Sequence, residues 1–141
     1  SQLKRSLRVT REVAQRLITG DYTPLLQSRE AFAAECYALM QSRCYRPKAI
    51  VEYDRKAFIA KENKIRVTFD SRIVATESSF DLFDERLNMT PVLAPSAVVM
   101  EVKYNGFLLD YIRRMINTVD QSELSVSKYM LARQNGYRYR L

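Results

Sequence analysis

The chain has 141 residues, of which 47% are apolar and 28% charged, and this balance is typical of one globular domain. It contains no histidine, which excludes a Ser-His-Asp or Cys-His nucleophile formed within this chain. No apolar run approaches the roughly 20 residues that a membrane-spanning helix needs. The net charge of +7 favours a polyanionic partner: phosphate chains, phospholipid or nucleic acid.

Two helices are predicted near the start of the chain. The first extends from an N-cap at Thr10 to Ile18, and Gly20 is a natural stop. The second extends from an N-cap at Ser28 to about Arg43. Its buried stripe is predicted to comprise Phe32, Ala33, Cys36, Tyr37, Leu39 and Met40.

The two cysteines, Cys36 and Cys44, fall on this second helix and at its end. A disulfide across two turns of helix would span roughly 12 Å, which is too far for the bond. Two thiols without a histidine also make a poor zinc site. We therefore expect structural thiols in a reducing compartment, the cytoplasm.

From Ala49 the apolar period becomes two, which predicts strands. Residues 49–61 and 64–75 are interpreted as an antiparallel hairpin around the turn pair Glu62–Asn63. The register that this turn sets pairs Lys61 with Lys64, Ala57 with Thr68, Arg55 with Asp70, and Tyr53 with Arg72. One face then carries Tyr53, Arg55, Arg66, Thr68, Asp70 and Arg72, and the other carries Ile50, Phe58, Ile65, Val67 and Phe69.

The remaining elements complete an α+β fold. Residues 80–87 are interpreted as an irregular or short helical link. Ala97–Tyr104 is interpreted as a strand that places Glu101 and Lys103 on one face. A helix is predicted over Phe107–Val119, whose packing side is formed by Leu108, Leu109, Ile112, Met115, Ile116 and Val119. A shorter helix is predicted over Ser122–Arg133. We expect a single domain, residues 1–141, with an antiparallel sheet and flanking helices.

The polar face of this sheet collects cationic side chains around one carboxylate. Arg55, Arg66 and Arg72 share the face of the hairpin, and guanidinium forks bind phosphate oxygens in pairs. A polar sheet face can also serve solubility alone. Glu101 has two interpretations: it binds Mg²⁺ or Mn²⁺ that bridges phosphate oxygens, or it forms an ion pair with Lys103 or Arg66.

Four stretches of the sequence, taken in order, resemble the motifs of one family. Glu52–Phe58 is similar to the YxRxAF strand, and Lys64–Asp70 to the RxTFD strand, of the vacuolar transporter chaperone (VTC) domain. Val99–Tyr104 is similar to its ExKY strand, and Ser125–Tyr129 to its closing SKY motif. The resemblance covers about residues 4 to 130.

The resemblance implies a polyphosphate polymerase of the triphosphate-tunnel fold, related to the CYTH superfamily. Such domains transfer the γ-phosphate of ATP onto a growing polyphosphate chain inside an antiparallel β-tunnel with basic walls, and they use Mn²⁺ or Mg²⁺. ATP and polyphosphate would be the partners of this chain. Nucleic acid is not expected.

Carried over position by position, the resemblance also implies site residues. The catalytic residues would be Glu101, Lys103 and Arg66, with Glu101 as the metal ligand. The phosphate-binding residues would be Lys4, Arg55, Arg66, Lys103 and Lys128. The register of the hairpin adds Arg72 to this set, and it assigns Asp70 the task of orienting Arg55.

The chain departs from the family at its beginning. The family's earlier strands, an ExK strand and an RxR strand, have no counterpart in it. We expect the C-terminal portion of the domain, without the N-terminal tunnel strands and inactive alone. The alternative is a genuinely shortened protein, whose open sheet edge would need a partner chain.

Three functions remain open at this point. The first is a fragment of a metal-dependent polyphosphate polymerase, of which a hydrolytic triphosphatase is a variant. The second is a module that binds polyphosphate or inositol polyphosphate without turnover. The third is a nucleic-acid binder, suggested by the tail Tyr137–Arg140, because aromatic rings and arginines can stack on bases.

Overall fold

The structure, a computed structural model, describes residues 4–60, 64–106, 108–118 and 127–138, with side chains up to residue 134. It divides into two compact units. The helical unit comprises residues 4–48 and 78–87, and the sheet unit comprises residues 49–77 and the described residues from 88 onward.

The first helix of the helical unit forms as the sequence predicts. Helix α1 spans Arg11–Ile18, and the Thr10 hydroxyl accepts a hydrogen bond from the Val13 N–H at 3.3 Å. This side-chain bond satisfies one of the N–H groups that a helix start leaves unpaired. Gly20 follows the helix with a φ of 88°, a conformation that glycine adopts without a steric penalty.

The second helix begins later than predicted. A short 3₁₀ helix, Thr23–Gln27, precedes it, with a proline in its first turn. Helix α2 spans Ala31–Ser42 and has Glu30 at its N-cap position. The prediction of Ser28 as the N-cap is therefore wrong, because the Ser28 hydroxyl accepts the Glu30 N–H at 3.2 Å in the turn before the helix.

The core of the helical unit lies between the 3₁₀ helix and α2. Its fully buried side chains are Tyr22, Leu25 and Ala33. The predicted stripe is confirmed at Cys36, Tyr37 and Met40, which pack against this cluster. It is wrong at Leu39, which is 44% exposed. Cys36 and Cys44 are both free thiols.

The sheet unit is built around one long central strand. Strand β1 spans Ile50–Ala60 and strand β2 spans Ile65–Thr76. Strand β3, Thr90–Pro91, and strand β4, Val99–Lys103, pair with opposite ends of β2 on the side away from β1. All of these pairings are antiparallel. The short strand β3 lies outside the predicted elements.

The register of the hairpin follows the prediction over most of its length. Ala57 pairs with Thr68 and Arg55 pairs with Asp70, as predicted. The predicted Lys61–Lys64 pair lies partly outside the described residues. The predicted pair of Tyr53 with Arg72 is wrong, because the register shifts by one residue between Glu52 and Asp54. Arg72 has a φ of 50° at this irregularity, which is the geometry of a β-bulge.

Two helices flank the sheet. Helix α3 spans Asp110–Asn117 and buries Ile112, but Met115, predicted on its packing side, is 65% exposed. Helix α4 spans Lys128–Arg138 and contacts β1 and β2. The predicted start of this helix at Ser122 lies outside the described residues, and the helix continues five residues past the predicted end.

The fold is thus α+β, with an open antiparallel sheet and flanking helices, as the sequence predicts for the fold class. None of the helices in the described ranges is long and apolar enough to span a membrane.

Candidate phosphate-binding site

The candidate site is one face of the sheet, where polar side chains of three strands are in register. Thr68 of β2 lies beside Ala57 of β1 and beside Glu101 of β4. Two residues along, Arg66 lies beside Lys103. Because side chains two residues apart point to the same face of a strand, the structure confirms that Arg55, Arg66 and Thr68 share a face with Glu101 and Lys103.

Arg66 and Lys103 form a pair of like charges across neighbouring strands. The Lys103 ammonium also contacts the Glu101 carboxylate, with 3.0 Å between Nζ and Oε1, and both side chains are well exposed. Within the described part of the chain, Arg66 is exposed and has no ion-pair partner. The cluster therefore has two cations for one carboxylate, and it can accept an anion.

A second cluster surrounds Asp70, which is 0% exposed. The Arg55 guanidinium donates two hydrogen bonds to its carboxylate, from Nε at 2.6 Å and from Nη2 at 2.7 Å. Lys128, the first residue of α4, approaches Oδ2 of the same carboxylate to 2.6 Å. Asp70 thus joins β1, β2 and α4 through two of the predicted phosphate-binding residues.

Tyr53 completes this second cluster. The Arg55 Cζ atom and the Lys128 Nζ atom each lie 5.0 Å from the centroid of its ring. Cations at this distance are attracted by the negative face of an aromatic ring. We call Tyr53, Arg55, Asp70 and Lys128 the Asp70 cluster.

The charges of the Asp70 cluster shift the pKa of its members. Hydrogen bonds from Arg55, and then from Lys128, lower the pKa of Asp70 to about 2, although burial acts in the opposite direction. The hydrogen bond to Asp70 raises the pKa of Arg55. The carboxylate is therefore ionised at neutral pH, and the cluster has a net charge of one positive unit.

Thr68 lies between the two clusters and has an unusual environment. It is 4% exposed, and its hydroxyl oxygen has no hydrogen-bond partner among the described residues. Buried hydroxyl groups nearly always have a partner. The Thr68 hydroxyl can therefore still form a hydrogen bond on the polar face.

Arg72 does not belong to either cluster, and the prediction that it shares the face of Arg55 is wrong. Its guanidinium forms an ion pair with Asp54. Asp54 is adjacent to Arg55 in the strand and so points to the opposite face. The bulge at Arg72 adds one residue to β2, and this extra residue reverses the alternation.

A comparison with protein-family models gave a match to the VTC domain over residues 1–136. The chain belongs to the VTC domain family. A search of curated protein sequences and a search of solved structures each gave no significant match. Membership in the VTC family indicates a function related to polyphosphate in general.

The VTC match gives a context for the remaining predicted residue, Lys4. It is exposed and lies in the helical unit, ahead of α1. A role for Lys4 in phosphate binding stays a prediction.

The donor set of this VTC domain limits how it could hold a metal ion. Among the described residues, three or more acidic or cysteine side chains are nowhere grouped in a way that suits a metal. Glu101 can therefore offer one carboxylate on the polar face, and it shares that carboxylate with Lys103. The chemistry suits Mg²⁺ or Mn²⁺ only if phosphate oxygens supply most of the other ligands, which is how Mg²⁺ is commonly bound in enzymes.

Two contacts in the VTC sheet unit were missed by reasoning from the sequence. One is the bond from Lys128 to Asp70, and the other is the ion pair of Arg133 with Glu77. Both attach α4 to the sheet across more than fifty residues of chain. The only local signal was the presence of Asp70 opposite Arg55, which indicated one partner of the carboxylate and not the other.

Proposed function

We propose that the VTC domain to which this chain belongs is a metal-dependent polyphosphate polymerase that transfers the γ-phosphate of ATP onto a polyphosphate chain. The observation that carries the proposal is the placement of Arg66 directly beside Lys103 on the polar face. Like charges opposite each other in a sheet are destabilising. A bound polyanion would remove that repulsion, and every phosphate group of a polyphosphate chain carries negative charge.

The residues of this face would act by binding and orienting phosphate groups. Arg66 and Lys103 would contact the chain near the reacting group, and Arg55 and Lys128 would contact it further along the face. Cations fixed beside phosphate oxygens stabilise the charge that develops during phosphoryl transfer. In this proposal Arg72 has no part, because Asp54 holds it on the other face.

The proposed metal ligand is Glu101. A divalent cation held there together with phosphate oxygens would neutralise charge on the group that is transferred. The contact between Glu101 and Lys103 at 3.0 Å would then be exchanged for contacts of both side chains with the metal–phosphate complex. Both side chains are exposed enough for this exchange.

A closed tunnel is also part of the proposal. Among the described strands, β1 pairs with β2 alone, so its other edge is available to further strands of the domain or to a partner chain. Closure would surround the polar face and exclude water, which strengthens electrostatic interactions with the phosphate chain. We place the reaction in the cytoplasm, which suits the free thiols Cys36 and Cys44.

One observation favours a second function, a module that binds polyphosphate or inositol polyphosphate without turnover. Glu101 is the one carboxylate of its cluster, and it already forms an ion pair with Lys103. A site that only binds phosphate needs cations and no metal ligand. Under this alternative, Glu101 would set the spacing of the cations and would not bind a metal.

The two functions are separated by measuring binding and synthesis on the same protein. Long-chain polyphosphate would be titrated into the purified chain at low and high salt. Polyphosphate formation from ATP and Mn²⁺ would be measured for this chain and for a longer version that adds the further tunnel strands proposed above. We expect salt-sensitive binding by both proteins and synthesis by the extended one alone.

Synthesis requires in-line placement of donor and acceptor in an enclosed site, and the described sheet is open. Robust synthesis by the chain alone would disprove the need for enclosure, and its absence from both proteins would favour the binding module. Binding that does not weaken with salt would contradict the electrostatic basis of both functions.

A further inference from the structure

Both cations of the Asp70 cluster have hydrogen-bond donors without a partner in the described part of the chain. Arg55 binds the carboxylate through Nε and Nη2, and its Nη1 atom has no hydrogen-bond partner among the described residues. Among the described residues, Lys128 has one polar partner, Oδ2 of Asp70 at 2.6 Å from Nζ, whereas an ammonium group has three N–H donors. Nη2 of Arg55 and Nζ of Lys128 both lie within 2.7 Å of the same oxygen atom. The two cations are therefore neighbours.

The cluster is also unbalanced in charge. Two cations share one carboxylate, and the Lys128 side chain is only 18% exposed. A partly buried excess of positive charge is unfavourable unless an anion approaches it. The unused donors and the unbalanced charge thus point to the same class of ligand, which is an anion with several oxygen acceptors.

Asp70 could act on such an anion in two opposite ways. It could compete with the anion for Arg55 and Lys128, so that binding requires the cations to leave the carboxylate. Alternatively, it could remain bound while the anion uses the unoccupied donors. The burial of Asp70 decides between these, because a completely buried carboxylate that loses its partners is strongly destabilising.

We propose that Asp70 is a positioning residue that stays bound to Arg55 and Lys128 and holds them side by side, so that their free N–H donors together bind one phosphate group of a polyphosphate chain. This inference rests on the proposed phosphate-binding function of the same face, and it assigns Asp70 a role that raises affinity for an anion despite its negative charge. Tyr53 supports the arrangement, because its ring lies 5.0 Å from both cations and limits the positions that they can adopt.

The test uses the sign of the change in affinity when the negative charge is removed. Inorganic tripolyphosphate would be titrated calorimetrically into the natural chain and into Asp70→Asn, which keeps the shape of the side chain. Bulk electrostatics predicts tighter binding for this variant, because the protein becomes more positive. If Asp70 positions the two cations, Asp70→Asn should bind tripolyphosphate more weakly by about 10-fold or more, which corresponds to the loss of one charge-assisted contact.

Asp54→Asn is the matched control. It makes the same chemical change on the same hairpin, but Asp54 is exposed and binds Arg72 on the opposite face. We expect its affinity for tripolyphosphate to stay within about 3-fold of the natural chain. Equal losses in both variants, or an Asp70→Asn variant that binds as tightly as the natural chain or more tightly, would overturn the positioning role.

A measurement on the natural chain covers the case in which Asp70→Asn does not fold. The Arg55 Nε–H proton, bonded to Asp70, would be followed by NMR in the free chain and with saturating tripolyphosphate. Positioning predicts that this proton stays protected from solvent exchange in the complex. Loss of its protection on binding would show competition and overturn the inference. No binding by the natural chain would overturn the proposed function as well, whereas binding with lost protection would leave that function standing.

Discussion

Lys128 and Asp70 lie 58 residues apart in the chain, and their side chains meet at 2.6 Å between Nζ and Oδ2. This ion pair, together with the pair of Arg133 and Glu77, fixes the position of α4 against the sheet. Because Lys128 lies in the SKY motif and Asp70 in the RxTFD motif, the contact connects two motifs of the VTC family directly.

The first prediction concerns stability in acid. The pKa of Asp70 is about 2 in the folded chain and 3.8 for an ordinary aspartate, so the unfolded chain binds the proton more readily. The stabilising contribution is therefore complete above about pH 5 and is lost as the pH falls from about 4 to 2, with a size of about 2 kcal/mol. The measurement is the free energy of unfolding, obtained by denaturant unfolding at several pH values.

Asp70→Asn provides the comparison for this first prediction. The pKa of Asp21 is also lowered, by hydrogen bonds from Thr23 and Arg16, and that of Glu35 by Arg5. Both carboxylates lie in the helical unit and add to the acid sensitivity of the natural chain. The contribution of Asp70 is the difference in the free energy of unfolding between the natural chain and Asp70→Asn. If this free energy falls with the same slope in both proteins below pH 4, the prediction is contradicted.

The second prediction concerns the buried hydroxyl of Thr68. Thr68→Val has nearly the same shape and removes a polar atom that has no partner among the described residues. An unsatisfied buried polar group costs about 1–3 kcal/mol, so we expect the free energy of unfolding to rise by about 1 kcal/mol. Thr68→Ser, which keeps the hydroxyl and loses the methyl group, should be less stable than the natural chain. A loss of stability in Thr68→Val would show that the hydroxyl has a partner.

The third prediction concerns the proposed metal ligand. In a longer version of the chain that includes the further tunnel strands proposed above, Glu101→Gln should reduce polyphosphate synthesis by about 100-fold or more, because a metal ligand supplies several kcal/mol to the transition state. Binding of polyphosphate should remain, because the cations of the face are unchanged. Glu52→Gln, an identical change at an exposed position on the other face of β1, is the control. Normal synthesis by Glu101→Gln would exclude the metal role.

The fourth prediction compares two arginines of the same strand. Arg66→Ala should weaken binding of polyphosphate by about 10- to 100-fold, the value of one or two charge-assisted hydrogen bonds. It should also make the affinity less dependent on salt, because one cation fewer contacts the chain. Arg72→Ala removes the same charge on the opposite face and should change the affinity by less than about 3-fold. Equal effects of the two substitutions would indicate a general attraction by net charge and not a site.

The sequence by itself determined the three longer strands and most of the polar face. Alternation of apolar residues fixes which side chains lie on one face, and the hairpin then places Arg55 beside Asp70. The same alternation predicted that Glu101 and Lys103 lie on the face of Arg66, as the structure shows. Helix α1 was also predicted correctly, because its N-cap residue Thr10 and the glycine that follows it, Gly20, are local sequence signals.

The tertiary structure alone decided the bulge at Arg72 and the partners of Asp70. A bulge depends on how two strands and their neighbours fit together, and a non-glycine residue at a φ of 50° has no marker in the sequence. The contact of Lys128 with Asp70 depends on where α4 packs. Such packing reflects burial summed over many side chains, whereas the sequence pattern records only neighbours along the chain.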